Sequence, residues 1–364
     1  MKVREICSYL DRVIPLSYQE NYDNSGLQIF AGDIETASAL LAVDITEDVV
    51  DEAISTGCGL IITHHPLIFF PVKRITGKNH IERIIIKALK NDISVYSAHT
   101  NLDSVFGGVS WKMAEKLSLR DVKVLSPLKG RLLKLVTFVP ESHLEKVREA
   151  VFSAGAGVVG NYDRCSFNAE GYATFRGNEH SSPFAGKKGE FHHEPEIRFE
   201  TILLSHLKDD VIKALLGSHP YEEVAYDIYL LENEYQMAGA GCMGELVSEM
   251  AETDFLIKLS EVFGSKGIRY STPLNRMIKK VALCGGAGSA FLGDAIKCGA
   301  DVYVTGDVKY HDFVNVSGEI LLADIGHFEG EKFSTEILYD LIIKKFPTFA
   351  LRFSERNTNP INYL

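Results

Sequence analysis

The sequence predicts an α/β protein: a two-part α/β domain with a mostly parallel sheet, interrupted by an inserted ferredoxin-like α+β domain. Three observations predict it. The first and last thirds of the 364 residues alternate short β-branched runs with helix-period segments, the grammar of right-handed crossovers between parallel strands. The middle third changes to strand, helix, strand, twice over. A chain of this length is also too long for one typical core and suits two or three domains.

In the first third, SALLAVD (38–44) reads as a buried strand. Residues 46–57 read as a helix: Thr46 is a candidate N-cap, acidic residues fill the first turn, and Gly57 stops it. GLIITHH is the next strand, residues 79–92 a helix, and ISVYSAHTNLD (93–103) a strand with its exit. In the middle, residues 132–140 form a strand, 142–155 a helix and 161–177 one or two strands. A loop rich in Gly, Ser and His (178–193) precedes a strand EIRFETILL, a helix LKDDVIKALLG and a strand EVAYDIYLL. This order predicts the ferredoxin-like insert at residues 129–245, between halves 1–128 and 246–364. The last third continues with strand KKVAL, a glycine turn, helix AFLGDAIKCG, and strands ADVYVTGD and EILLADIGH. A long amphipathic helix at 331–346 and a closing strand TFALRFSE complete it.

Composition narrows the class. Hydrophobic residues at 46% and charged residues at 24% are ordinary for a soluble globular protein. A net charge of -11 argues against broad binding to nucleic acid or anionic membrane, unless a local basic patch forms. No apolar run approaches the roughly 18 residues of a membrane span, and MKVREICSYLDRVIP has no uninterrupted apolar core of a signal peptide. None of the six cysteines forms a C-x-x-C pair, so a thiolate zinc site is disfavoured and buried free thiols are expected. This pattern fits a reducing, cytoplasmic compartment.

The candidate chemistry sits where strands end. His64 and His65 close one strand, Asp103 follows another, Asp307 and His311 a third, and His327 and Glu331 a fourth. Ligands of open parallel sheets bind beyond the carboxyl ends of the strands. Within a regular strand the two adjacent histidines would face opposite ways. At a strand exit, with Pro66 holding His65 extended, each imidazole can serve its own ion. Asp103 would bridge the two ions through its two oxygens. His327 and Glu331, four apart at a helix start, share one face and would complete the shells. Two divalent ions are therefore expected on His64, His65, Asp103, His327 and Glu331. Imidazole with carboxylate suits Zn, Fe, Mn or Co better than Ca or Mg. His311 and Asp307 are the candidate catalytic residues, as proton-transfer or ligand-supporting groups, with Tyr310 and Thr305 behind them. Their ordinary alternative is helix capping and surface hydrogen bonding. His99 is a candidate ligand-shell or substrate contact. Asn24 and Gln28 either reach the site or satisfy backbone groups. CGGAGS (284–289) is either a tight strand-to-helix turn or an anion cradle. It matches neither a P-loop nor a dinucleotide fingerprint. His192 and His193 read as solvated loop residues, and HPYEEVAYDIY (219–229) as strand packing.

Six segments in order, DNSGLQ, THHPLIF, HTNLD, GGAGS, DVYVTGDVKYHD and GHFEGE, resemble the motifs of the GTP cyclohydrolase 1 type 2 homologue family, also called NGG-interacting-factor-like. GNYDRCSF, GYATFRG and HPYEEVAYDIY resemble the insert of its longer bacterial members. The resemblance implies a dinuclear metal centre on the same five residues, a toroidal homohexamer with its sites facing an internal cavity, and an insert related to small trimer-forming or signalling domains. One departure is local: FEG (328–330) stands where members often have a small residue and Thr before the final Glu. Two functions follow. One is a metal-dependent hydrolase acting on a nucleotide or related small molecule, GTP ring opening being one version. The other is a non-enzymatic metal-binding regulatory or scaffold protein with a ligand-sensing insert.

Overall fold

The computed structural model describes residues 1–316 and 318–364. The chain divides into two compact units, residues 1–127 with 236–364, and residues 128–235. The second join lies at 236 rather than near 245. A continuous strand, Tyr235–Ala251, runs through the expected boundary, and its part from Cys242 onward pairs with Met277–Leu283 of the first unit.

The first unit holds two sheets where the sequence suggests one. The first has the order Gly26–Ile29, Ser94–Ser97, Leu60–Thr63, Ser38–Ala42, Ala350–Phe353. It is parallel except at Gly26–Ile29. The second has the order Arg269–Tyr270, Leu321–Asp324, Val302–Thr305, Met277–Leu283, Tyr235–Ala251, Arg120–Leu128. Its strands Leu321–Asp324, Val302–Thr305 and Met277–Leu283 are mutually parallel, and Arg269–Tyr270 and Tyr235–Ala251 pair antiparallel with them.

Helices cover both faces of each sheet, so the central strands are buried along their whole length and read as apolar runs. On one face of the first sheet lie Ile6 and Leu10 of helix Val3–Val13 with Ile337 and Leu338 of helix Ser334–Lys345. On the other lie Val50 and Ala53 of Glu47–Thr56 with Ile84 and Ile85 of His80–Lys90. Helix Glu47–Thr56 keeps its expected limits: Val49 N–H donates to the Thr46 hydroxyl at 3.2 Å, and Gly57 ends it at φ 69°. The long helix expected at 331–346 is Ser334–Lys345, with a separate short helix, His327–Glu331, before it.

Helix Val109–Lys116 joins the two cores, placing Val109 in the first and Met113 and Ala114 in the second. The segments also cross over. Arg120–Leu128, from the first third, edges the second sheet, and Ala350–Phe353, from the last third, edges the first. The carboxyl ends of the parallel strands from both sheets thereby meet within one unit.

The second unit runs Leu132–Pro140, helix Leu144–Ser153, Ser166–Phe175, His192–Leu204, helix Lys208–Ser218, Tyr226–Leu230. Its sheet order is Ser166–Phe175, His192–Leu204, Leu132–Pro140, Tyr226–Leu230, with every pair antiparallel. Leu135, Val139, Phe199 and Leu203 pack against Val147, Val151, Val211 and Leu215 of the helices. His192 and His193 are strand residues, not loop residues, because the ladder with Ser166–Phe175 extends far enough to pair them with Phe175 and Thr174. Among the described residues, no helix is long and apolar enough to cross a membrane.

Candidate metal centre

His64 and His65 leave strand Leu60–Thr63 where its pleat ends. Their backbone N–H groups both donate to the Val43 carbonyl, at 3.1 and 3.0 Å, at the exit of the neighbouring strand. His64 is fully buried, and its Nδ1 donates to the Ala98 carbonyl at 2.7 Å. A carbonyl only accepts, so the proton sits on Nδ1 and Nε2 presents a lone pair. His65 Nδ1 donates to Asp44 at 2.7 Å, and His327 Nδ1 to Asp307 at 2.8 Å. All three imidazoles are thus oriented from behind.

The Nε2 atoms face inward on carboxylates. His64 Nε2 lies 3.6 Å from Asp103 Oδ1 and 3.6 Å from Glu331 Oε1. His65 Nε2 and His327 Nε2 lie 2.8 and 2.9 Å from Glu331 Oε2, and 3.3 Å from each other. The structure therefore brings all five expected ligand-type residues together. Glu331 reaches both sides of the cluster, with Oε1 toward His64 and Oε2 toward His65 and His327. Asp103 lies in the short helix Thr100–Ser104, on the His64 side. Glu331 can reach between the groups because Gly286 leaves room: a Cβ there would stand 2.0 Å from Glu331 Oε1.

The donors fit a divalent metal. His64 Nε2 and Asp103 Oδ1 are both buried and without a hydrogen-bond partner, an expensive condition unless a cation satisfies them. One ligand atom from each of His64, His65 and Glu331 lie within 4.8 Å of one another. Two imidazole lone pairs 3.3 Å apart beside a buried carboxylate also need positive charge between them. Without metal, protons supply it. Burial pulls the His65 pKa down, but Asp44 and Glu331 overcome it and raise it to about 10. His327 is likewise pulled down by burial and then raised to about 9 by Glu331, with Asp307 assisting. Burial raises Asp103 to about 6 against the pull of His64. Burial also opposes ionisation of Glu331, but His64, His327 and His65 hold its carboxyl well below the usual range.

His99 stands beside the cluster, its ring centroid 5.4 Å from those of both His64 and His65. Its Nδ1 donates to Asp23 at 2.8 Å, and Asp23 is itself held by Thr100 N–H and hydroxyl. Asn24 and Gln28 do not reach the site. They hold the following loop, Asn24 Nδ2 donating to the Ile68 carbonyl and Ile68 N–H donating to Gln28. His311 lies on the exposed helix Tyr310–Asn315 with its ring against Tyr310, apart from the cluster. No contact joins its side chain to the cluster among the described residues. Asp307 stands where the ligand-supporting reading puts it, behind His327 Nδ1. Thr305 and Tyr303 pin the glycine turn: the Thr305 hydroxyl accepts from Gly288 N–H, and Tyr303 donates to the Gly288 carbonyl. CGGAGS is thus a tight turn packed on Glu331. In the second unit, His219 has both ring nitrogens engaged, with the Phe138 carbonyl and Tyr221 N–H.

Asp44 and Asp23 are the residues sequence reasoning passes over. Asp44 had a signal, since it too follows the end of a parallel strand. Asp23 had none, because only the tertiary fold brings DNSGLQ beside His99.

The chain is similar to known proteins along almost its whole length. Residues 1–360 match the family described as Duf34/NIF3 (NGG1p interacting factor 3). A GTP cyclohydrolase 1 type 2 homolog of Halalkalibacterium halodurans is 42% identical over 84% of this chain and 82% of its own length. One of Bacillus subtilis is 36% identical over 99% of this chain and 98% of its own. A solved Bacillus cereus protein related to NIF3 superposes with a TM-score of 0.87 at 38% identity, covering 100% of this chain and 99% of its own. Matched to the family over residues 1–360 and to a solved relative's fold over its whole length, this chain belongs to the Duf34/NIF3 family.

Proposed function

We propose that the chain is a dinuclear metal-dependent hydrolase acting on a nucleotide or a related small molecule. The observation that carries this reading is the set of three imidazoles, each fixed at Nδ1 from outside, whose Nε2 atoms converge with Asp103 on the two oxygens of Glu331. His64, Asp103 and Glu331 Oε1 would hold one ion, and His65, His327 and Glu331 Oε2 the other. When bound, such a pair lowers the pKa of water and polarises the group under attack. The protein's own residues do the rest. Ala98, Asp44 and Asp307 keep the imidazoles oriented. Asp23 engages His99 at Nδ1, which leaves Nε2 as the atom that can hold or move a proton at a substrate. The names of the relatives, GTP cyclohydrolase 1 type 2 homologs, support a nucleotide as substrate class. The strand and helix order of residues 128–235, with its antiparallel sheet, supports a ferredoxin-like insert. A homohexamer belongs to the same reading, on family resemblance.

The test is metal analysis joined to a product screen. Wild type should retain two divalent ions per chain, while His64→Ala and Asp103→Ala lose stoichiometric metal with their circular dichroism unchanged. Metal-loaded wild type, presented with nucleoside triphosphates, should release a hydrolysed product that both variants fail to release. Unchanged metal content in the variants would overturn the site. Full metal with no turnover would overturn the hydrolase and favour the regulatory alternative.

A further inference from the structure

The second unit contains a cavity of 410 Å³, large enough for a ligand of drug-like size. Phe138, Phe175, Phe184 and Tyr221 line it, and Glu196 lies in its wall. The Phe175 and Phe184 ring centroids stand 6.2 and 6.0 Å from that of Tyr221. Glu196 is 4% exposed. It sits in strand His192–Leu204 two residues before Arg198 and three before the core residue Phe199, so it points away from the helix-covered face. Its partner in strand Ser166–Phe175 is Gly171, which offers no side chain on that side, and its partner in strand Leu132–Pro140 is Pro140, which offers no polar side-chain group.

Among the described residues, the carboxylate of Glu196 has one hydrogen-bond partner, the Tyr221 hydroxyl at 2.7 Å on Oε1, and no cation within ion-pair distance. A buried carboxylate without a cation is costly, and proteins usually pair it. The other charged groups of the wall are Arg176, Glu222 and Glu223, so the lining carries three acids against one base. A second cavity, of 380 Å³, shares Phe138, Ala173 and Glu196 and adds Glu170 and Arg198, the latter paired with Glu200 at 2.7 Å, so the same carboxylate lines both spaces.

Aromatic faces around a desolvated acid are complementary to an organic cation with an apolar body: the rings attract the positive charge, and the carboxylate takes its N–H donors. The geometry points to a binding site for a small organic ammonium or guanidinium compound in the inserted unit, with Glu196 as its anionic contact and Phe175, Phe184 and Tyr221 as its cage. The site stands on residues of the insert alone and does not depend on the metal centre. Burial raises the pKa of Glu196 above its usual value, a penalty that a bound cation would relieve.

Calorimetric titration of the full chain with 2-phenylethylammonium tests it, with 2-phenylethanol as the uncharged counterpart. The ammonium should bind saturably at one per chain and at least tenfold more tightly than the alcohol. Glu196→Gln should weaken the ammonium at least tenfold and leave the alcohol unchanged. Phe184→Ala, at a residue 53% exposed and thus harmless to folding, should weaken it severalfold. Asp103→Ala should bind as wild type does, which separates this site from the metal reading. Absence of saturable binding, equal affinity for ammonium and alcohol, or wild-type affinity in Glu196→Gln would each overturn the proposal. Should Glu196→Gln fail to fold, the alcohol comparison and Phe184→Ala decide it.

Discussion

Asp44, Asp307 and the Ala98 carbonyl stand behind the imidazoles, and each decides which nitrogen of a histidine faces the cluster. Supporting groups of this kind typically contribute 10–100-fold to metal affinity. Asp44→Ala should therefore raise the metal dissociation constant about 10–100-fold, read by competition with a chelator, while all five ligand-type side chains remain. Protonation is the second consequence at this scale. His65 and His327 are raised from 6.5 to about 10 and about 9, so the folded metal-free chain binds protons that the unfolded chain releases. Their stabilising contribution is complete below 6.5 and is lost as pH rises through about 9 to 10. Glu331 works in the opposite direction: its carboxylate stabilises above 4.5, and that contribution fades as pH falls through its lowered folded value. The melting temperature of metal-free protein should accordingly decline between pH 6.5 and 10. Metal-loaded protein should show a flatter profile, because metal replaces those protons.

Short elements, rather than long ones, shape the centre. His327–Glu331 is a single helical turn, enough to place residues four apart on one face, and His327 Nε2 meets Glu331 Oε2 at 2.9 Å. The glycine turn opposite it has Gly286 at φ 61°, a conformation that other residues adopt at a cost of roughly 1–2 kcal/mol. An added methyl would also displace the end of Glu331. Gly286→Ala should thus lower stability by about 1–2 kcal/mol in denaturant titration while removing most of the bound metal. Loss of stability without loss of metal would show that the turn merely connects strand to helix.

Within the first unit, the two sheets exchange edge strands and share helix Val109–Lys116, so neither half of the sequence completes its own core. Leu338, fully buried, comes from the last third of the chain but packs among Ile6, Leu10, Leu41 and Tyr96 of the first. Leu338→Ala should cost about 2–5 kcal/mol. Hydrogen exchange should show the loss in the strands 38–42 and 60–63 as well as in its own helix, since they belong to one cooperative core. Loss confined to the helix would mean that the sheets unfold separately.

Much of this was present in the sequence by itself. Helix Glu47–Thr56 is legible from Thr46 and Gly57, and the central strands from apolar runs that only burial on both faces explains. The five ligand-type residues are legible because each follows the end of such a strand, and parallel strands carry their chemistry there. Their arrangement was decided by tertiary structure alone. That Glu331 reaches all three imidazoles, that Asp23 holds His99, that Arg120–Leu128 and Ala350–Phe353 trade sheets, and that the first unit resumes at 236 all depend on contacts between residues far apart in the chain. Periodicity and capping are local properties, imposed by backbone geometry over a few residues. Side-chain direction at a strand exit is set by whichever distant group supplies the hydrogen bond, and no local pattern encodes that partner.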